Sequence, residues 1–144
     1  MQMNIQLPYK MLQAYNTCCR PLCQQMKLPQ TAFDILMFLA NNPDLNTARD
    51  IVKIRGIKAN LVSVNIDKLV QEGYIERTPV PDDRRKTRLS CTDKAMPLIE
   101  QGRQLQQNFF HTLFEGIDSE LLHIFHQVFF SIDKTLDRML KEKG

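Results

Sequence analysis

The chain has 144 residues, of which 43% are hydrophobic, a size that suits one ordinary domain or two small lobes sharing a core. No run of about eighteen apolar residues occurs, and the N-terminal residues lack the apolar core of a signal peptide, so neither a membrane span nor secretion is expected. We therefore expect a cytoplasmic protein without a membrane partner. Its four cysteines are then expected to be reduced thiols rather than a disulfide framework.

The net charge of the chain is only +3, but it is distributed unevenly. Residues 47–92 contain ten Lys or Arg and six Asp or Glu, a local net charge of +4, whereas the rest of the chain has a net charge of −1. A basic face on a neutral body is typical of nucleic-acid-binding proteins. Ordinary solvated charges would explain a value of +4 about as well, so charge alone does not decide the matter.

The first half of the chain has the apolar spacing of helices. A first helix is predicted over residues 7–26, and Pro21 inside it is expected to kink or interrupt it. A second, mostly buried helix is predicted over residues 31–41, ending at an Asn-Asn-Pro-Asp turn.

A helix-turn-helix is predicted next. Thr47 and Asp50 stand in a capping-box relation at the start of a short helix that ends at Gly56. A further helix follows over residues 58–71, with Gly73 suited to its C-terminal cap. Its apolar residues recur at helical spacing and are expected to face inward: Leu61, Val62, Ile66, Leu69 and Val70. Its polar residues remain to face outward: Lys58, Asn60, Ser63, Asn65 and Lys68.

A β-hairpin is predicted directly after this helix. One strand covers residues 75–80 and a second covers residues 89–92, with Pro79 and Pro81 marking the end of the pairing. Between them the sequence DDRRKTR is expected to form a charged tip. A basic tip behind a helix-turn-helix is suited to gripping a DNA backbone beside the groove that the helix enters.

Two long amphipathic helices are predicted over residues 93–114 and 119–143. The last would be roughly 35 Å long at 1.5 Å per residue, more than a small domain needs for its own core. We therefore expect a symmetric homodimer built from the terminal helices. The alternative is a monomer that folds both helices onto itself.

The order of these elements resembles the MarR family of winged helix-turn-helix transcription regulators. The wing carries the family's Asp-x-Arg as Asp83-Arg84-Arg85, with Cys91-Thr92 near the place of its Leu-Thr ending. The segment DKLVQEGYI, residues 67–75, is similar to the family's DRL…GLI segment. The sequence departs from the family at Lys58, where Ser or Thr often caps the helix, and at Val64, where a polar or basic residue is common.

The resemblance implies a mainly α (α+β) winged helix-turn-helix fold. Residues 29–92 would form the DNA-binding lobe, and residues 1–28 and 93–144 the dimerisation region. The recognition helix would enter the major groove of double-stranded DNA, with Asn60 or Asn65 best suited to read adenine. The helix residues implied in DNA contact are Lys58, Asn60, Ser63, Asn65 and Lys68.

The wing is implied in a second set of DNA contacts. Arg85 would insert into the minor groove, and Asp83 would orient its guanidinium by a charge-assisted bond. The other basic residues would hold phosphates without reading sequence. The wing residues implied in DNA contact are Asp83, Arg84, Arg85, Lys86 and Arg88.

Two regulatory inputs are family themes. Cys18, Cys19 and Cys23 could sense oxidants, with Lys10, Arg20 and Lys27 near enough in sequence to lower a thiol pKa. Inert packing of these thiols is the alternative, and metal binding would need His111, His123 or His126 to be brought near. A small amphipathic effector would occupy a crevice lined by Tyr15, Phe33, Met37 and Phe109, although such residues are core by default.

The combined prediction is a homodimeric regulator that binds a pseudo-palindromic operator with half-sites about one helical turn apart. A dimer that occupies a promoter is expected to repress transcription. A small-molecule ligand or thiol oxidation is expected to relieve that repression. The alternative is a winged-helix protein-protein interaction module without DNA binding. No catalytic motif or Gly-rich phosphate loop is present, so no enzyme activity, cofactor or metal site is predicted.

Overall fold

A computed structural model describes residues 4–142 of the chain. The element order is α1 (Gln6–Met26), α2 (Gln30–Asn41), α3 (Ala48–Asp50), α4 (Ala59–Gln71), β1 (Ile75–Val80), β2 (Asp83–Cys91), α5 (Met96–Leu113) and α6 (Ser119–Glu142). A π-helical turn (Ile51–Arg55) extends α3, and a 3-10 turn (Asp93–Ala95) precedes α5. The mainly α fold class with one small sheet is confirmed. Lys143, the predicted end of the last helix, lies outside the described residues.

The helix termini follow local chemistry. Thr47 caps α3 in a full capping box: its hydroxyl accepts from the backbone N–H of Asp50 at 3.2 Å, and the Asp50 carboxylate accepts from the backbone N–H of Thr47 at 3.2 Å. Gly56 follows the π-helical turn with a φ of 75°, a conformation that side chains other than Gly rarely adopt. The capping box and the glycine turn are as predicted.

The helix α1 passes through Pro21 without a break, so the prediction of an interruption there is wrong. Its C-cap residue, Lys27, adopts the left-handed conformation with a φ of 54°. The backbone N–H of Leu28 then bonds the carbonyl of Cys23 at 3.0 Å, which satisfies one of the terminal carbonyls.

The chain divides into two compact units, the first extending to Phe109 and the second beginning at Phe110. The core of the first unit is centred on α2, whose residues from Ala32 to Leu39 are buried except Asp34. Burial of this apolar face is the main stabilising contribution to the unit. Further buried side chains come from α1, the helix-turn-helix, the hairpin and α5, among them Cys19, Leu22, Cys23, Ile51, Val62, Ile66, Leu69, Ile75, Leu89, Leu98 and Ile99.

The second unit contains α6 and the turn before it. Asp118 starts the helix, since its carboxylate accepts from the backbone N–H of Glu120 at 2.8 Å. Phe125 stacks on Phe129 and lies against Phe114, with ring centroids 5.7 and 5.8 Å apart. No residue of α6 is buried in the single chain, although its apolar stripe is as long as predicted. No helix among residues 4–142 has the length and apolar composition needed to cross a membrane.

Candidate nucleic-acid interface

The helix α4 presents one face to the core and the opposite face to solvent. Val62, Ile66 and Leu69 are buried at 3% exposure or less, whereas Asn60 and Ser63 are exposed. Lys58 is also exposed and precedes the helix as its N-cap, without a side-chain capping bond. The exposed face therefore offers uncommitted amide, hydroxyl and ammonium groups that suit contact with base edges and phosphates.

Asn65 does not belong to this exposed face. It is 7% exposed, and its Nδ2 donates to the backbone carbonyl of Leu61 at 2.8 Å. The prediction that Asn65 faces outward and reads adenine is therefore wrong, because its amide is committed within the helix. Leu61 is 44% exposed, which overturns its prediction as a core residue. Lys68 is partly covered and lies 3.9 Å from the carboxylate of Glu72.

The charged segment of the wing is mostly strand rather than tip. The strand β2 begins at Asp83, so only Pro81 and Asp82 form the turn, and the prediction of a long charged loop is wrong. Pro79 pairs with Thr87, whereas the next residue of β1, Val80, pairs with Asp83. The residues without a counterpart on β1 in this register form a bulge, and all three are exposed: Arg84, Arg85 and Lys86.

Asp83 contacts Arg85, but not in the predicted way. Its Oδ1 accepts a hydrogen bond from the backbone N–H of Arg85 at 2.9 Å. Within residues 4–142 the two side chains form no ion pair, so the expectation that Asp83 orients the guanidinium is corrected. The carboxylate holds the backbone of the bulge, a contact typical of an Asx turn.

Three contacts attach the hairpin to the rest of the first unit. Leu89 donates its backbone N–H to the carbonyl of Asn46 at 2.8 Å, which joins β2 to the loop before α3. Arg77 on β1 forms an ion pair with Asp67 on α4. The hydroxyl of Thr92 donates to the carbonyl of Gly73 at 2.6 Å. The Arg77–Asp67 pair thus holds the wing against α4, and the other two contacts fix β2 and the base of the hairpin. Pairings between residues so distant in sequence carry no local pattern and were missed by the sequence reasoning.

A further ion pair fixes the helix-turn-helix on the core. Arg55 Nη2 lies 3.3 Å from Oδ2 of Asp34, and Gln30 Nε2 donates to the same carboxylate at 2.9 Å. Burial raises the pKa of the Asp34 carboxyl, and the contacts with Gln30 and Arg55 oppose that shift. The pair joins α2 to the end of the π-helical turn. The sequence reasoning did not single out either residue for this contact.

The cysteines of α1 are in different environments. Cys18 is exposed, Cys19 is fully buried, and Cys23 is 7% exposed with its Sγ 3.8 Å from Gln30 Oε1. Burial raises the pKa of the Cys19 thiol and raises that of Cys23 to about 11. The expectation that nearby cations lower these pKa values is wrong for both. Among residues 4–142 no group of three or more potential ligands is placed to hold a metal ion.

The four residues predicted to line an effector crevice fall into two pairs, Tyr15 with Phe109 and Phe33 with Met37. The ring of Tyr15 meets that of Phe109 edge-on, with centroids 5.4 Å apart, and Gln106 Nε2 donates to the Tyr15 hydroxyl at 2.9 Å. Burial raises the pKa of the Tyr15 phenol. Phe33 and Met37 are buried at 2% exposure or less. These two side chains pack where α2 approaches Gly102 of α5.

A cleft of about 570 Å³ lies beside the base of the wing. Its apolar lining includes Leu89 and Met96, and its polar lining includes Arg88 and Arg103. The Arg103 guanidinium is also held by the carbonyl of Ala40, at 3.1 Å. The carboxylate of Asp44 lines the cleft as well, so its mixed apolar and charged lining suits a small amphipathic molecule.

The helix-turn-helix, the two-stranded wing and the exposed face of α4 together define a winged helix-turn-helix protein. The MarR family model matches residues 26–86, from the end of α1 to the wing. A solved transcriptional regulator is 25% identical with a TM-score of 0.79, covering 92% of this chain and 96% of its own. Residues 26–86 thus match the MarR family, and over nearly its whole length the chain is similar in fold to solved transcriptional regulators of that kind.

Two further solved structures have the same fold at lower sequence identity. A MarR family transcriptional regulator from Listeria monocytogenes, solved in complex with 26mer DNA, is 15% identical with a TM-score of 0.84, covering 100% of this chain and 97% of its own. A MarR protein from Peptoclostridium difficile is 18% identical with a TM-score of 0.82, covering 100% of this chain and 94% of its own.

Proposed function

We propose that this protein is a sequence-specific double-stranded DNA-binding repressor that acts as a homodimer. The observation that carries the proposal is the wing bulge, where Arg84, Arg85 and Lys86 are exposed on a hairpin attached to α4 through the Arg77–Asp67 ion pair. Three basic side chains on residues without a strand partner are well placed to neutralise phosphates. Such contacts favour binding because they release the counterions that DNA condenses.

The proposed division of labour follows the exposed groups. Asn60 and Ser63 on α4 would meet base edges in the major groove, while Lys58 and Lys68 would meet phosphates flanking them. Arg85 would enter the minor groove beside the helix, with Arg84, Lys86 and Arg88 on the backbone. Asp83 would act indirectly, by fixing the backbone conformation of the bulge.

The experiment is a selection of bound duplexes from a random pool, followed by affinity measurements on the selected site over a range of salt concentrations. We expect one site to be enriched and the logarithm of its affinity to fall linearly with the logarithm of salt concentration, with a slope near 0.9 per neutralised phosphate. A winged-helix module that binds only protein would enrich no site. That result would replace the present proposal with the interaction-module alternative.

We also propose that residues 1–28 and 93–144 form the dimerisation region and residues 29–92 the DNA-binding lobe. The support is the uncovered apolar stripe of α6, where Ile124, Val128, Phe129, Ile132 and Leu136 are all more than 40% exposed in the single chain. An isolated patch of this length is unfavourable in water. Replacing Ile132 with Asp should convert the dimer to a monomer in sedimentation experiments. The same change at exposed Gln71, in the proposed DNA-binding lobe, should leave the dimer intact.

Repression follows from promoter occupancy, and we propose that a small amphipathic effector relieves it. Two places are candidates for such binding. One is the contact between Tyr15 and Phe109, and the other is the cleft beside the wing, whose lining includes Arg88 and Arg103. Oxidation of Cys19 or Cys23 is the weaker route, because burial and a raised pKa leave little reactive thiolate. Release of labelled operator by phenolic acids, compared with release by peroxide, separates the two inputs.

A further inference from the structure

The exposed face of α4 carries apolar side chains among its polar ones. Val64 is 65% exposed and Leu61 is 44% exposed, although both have the side chains of core residues. An α-helix places about 3.6 residues in each turn, so Val64 lies nearly opposite buried Val62 and Leu69. Val64 therefore stands at the middle of the solvent-facing surface rather than at the margin of the core.

The surroundings of Val64 on the helix are those of a DNA-contacting surface. Its neighbours one turn away are Asn60 and Lys68, and its neighbours three residues away are Leu61 and Asp67. The negative charge of Asp67 is paired with Arg77 of the wing, which reduces its repulsion of phosphates. An apolar spot of two side chains among groups suited to DNA is too small for a protein-docking surface.

We propose that Val64 contacts the 5-methyl group of a thymine in the major groove and so selects A·T pairs of one orientation at that position. Among the base edges exposed in the major groove, only thymine offers an apolar group, and the others offer hydrogen-bond donors and acceptors. Val64 can form no hydrogen bond, so against any other base it would desolvate polar edges without replacing their bonds. Leu61, on the same face, borders the contact.

This inference rests on the proposed DNA-binding function and assigns specificity within it. Because Asn65 is buried, the candidates for base contact on this face are reduced to Asn60, Ser63 and Val64, with Leu61 at their edge. Val64 lies at the centre of this face and has no hydrogen-bonding group in its side chain. The contribution that it can make to specificity is therefore a contact with a methyl group.

The test is a single-methyl comparison on the selected operator. Each thymine of a half-site is replaced in turn by deoxyuridine, which keeps the base pair and removes only the methyl group. For the wild-type dimer we expect one position per half-site to lose about fourfold in affinity, the value for one buried methyl-sized group. In Val64→Ser that position should become insensitive to the replacement.

Ile54→Ser provides the matched control, because Ile54 is a similarly exposed apolar residue, at 57%, on the π-helical turn before α4. This variant should keep the wild-type response to deoxyuridine. The inference is overturned if no thymine in the site responds, or if the response is unchanged in Val64→Ser. Failure of the selection to enrich any duplex would overturn the proposed function as well, and so is distinguishable from failure of the inference alone.

Discussion

The carboxylate of Asp83 accepts a hydrogen bond from the backbone N–H of Arg85 at 2.9 Å, a bond that spans the start of the wing bulge. It fixes the backbone from which three exposed basic side chains project. The guanidinium of Arg85 forms no ion pair within the described part of the chain. Its charge is therefore available to a ligand instead of being neutralised by Asp83.

Replacing Arg85 with Ala should weaken operator binding by about 1–3 kcal/mol, because an inserted guanidinium is lost from a narrow groove. Thermal stability should not change, since the side chain is exposed. The measurement is fluorescence anisotropy with labelled operator, together with a melting curve. Arg20→Ala, which removes an exposed base from α1, is the control and should bind as the wild type does. Equal affinities of wild type and Arg85→Ala would remove the wing arginine from the mechanism.

Substitutions at the two asparagines of α4 should affect different properties, DNA affinity at Asn60 and stability at Asn65. Asn60→Ala removes an exposed amide, and we expect it to lower operator affinity by about 1–3 kcal/mol without destabilising the fold. Asn65→Ala removes a buried bond to the Leu61 carbonyl, and we expect it to destabilise the fold by about 0.5–1.5 kcal/mol. Chemical denaturation and anisotropy on both variants check this. A larger stability loss in Asn60→Ala than in Asn65→Ala would contradict the assignment.

Gly102→Ala should destabilise the first unit by about 1–3 kcal/mol through overpacking. A Cβ at this position would lie 2.5 Å from Met37 Sδ and 3.2 Å from Phe33 Cε2, and both side chains are buried. Gln101→Ala, at the neighbouring exposed position, is the control and should stay within about 0.5 kcal/mol of wild type. Combining Gly102→Ala with Met37→Ala should cost less than the sum of the single variants. Full additivity would show that the two positions do not contact each other.

The thiols of α1 should differ sharply in alkylation rate. Cys18 is exposed and should react first with iodoacetamide, followed by mass spectrometry of the peptides. Cys23 should react slowly in the native protein, because a thiol with a pKa of about 11 is only about one part in a thousand thiolate at pH 8. Unfolding in urea should bring all three cysteines of α1 to similar rates. Fast native labelling of Cys19 or Cys23 would restore the oxidant-sensing hypothesis for them.

Asp34 should make the stability of the protein fall as pH rises through the interval between the ordinary carboxyl pKa and its raised value in the fold. In that interval the native state holds more protons than the unfolded state, so the free energy of unfolding decreases with pH. Above the raised pKa the contribution is constant. Urea titrations of wild type and Asp34→Asn at several acidic pH values give the difference curve. If the free energy of unfolding of wild type minus that of Asp34→Asn rose with pH, the direction of the Asp34 pKa shift would be contradicted.

Much of the fold could be predicted because its signals are local. The capping box of Thr47 and Asp50, the turn at Gly56 and the stripe of Val62, Ile66 and Leu69 depend on residues a few positions apart. Such patterns act through helix geometry, whatever the rest of the chain does. The same reasoning failed at Leu61 and Asn65, because a helical period gives the direction of a face but not where its edge lies.

What the sequence by itself determined is the order of the elements, the charged wing behind a helix-turn-helix and the long apolar stripe of α6. What only the tertiary structure decided is how the side chains are used. Register between β1 and β2 placed Arg84 to Lys86 in a bulge, and burial turned Asn65 and Cys23 from candidate site residues into internal ones. The ion pair of Asp34 with Arg55 likewise joins residues distant along the chain. Such contacts depend on the summed packing of many residues, which no local pattern records.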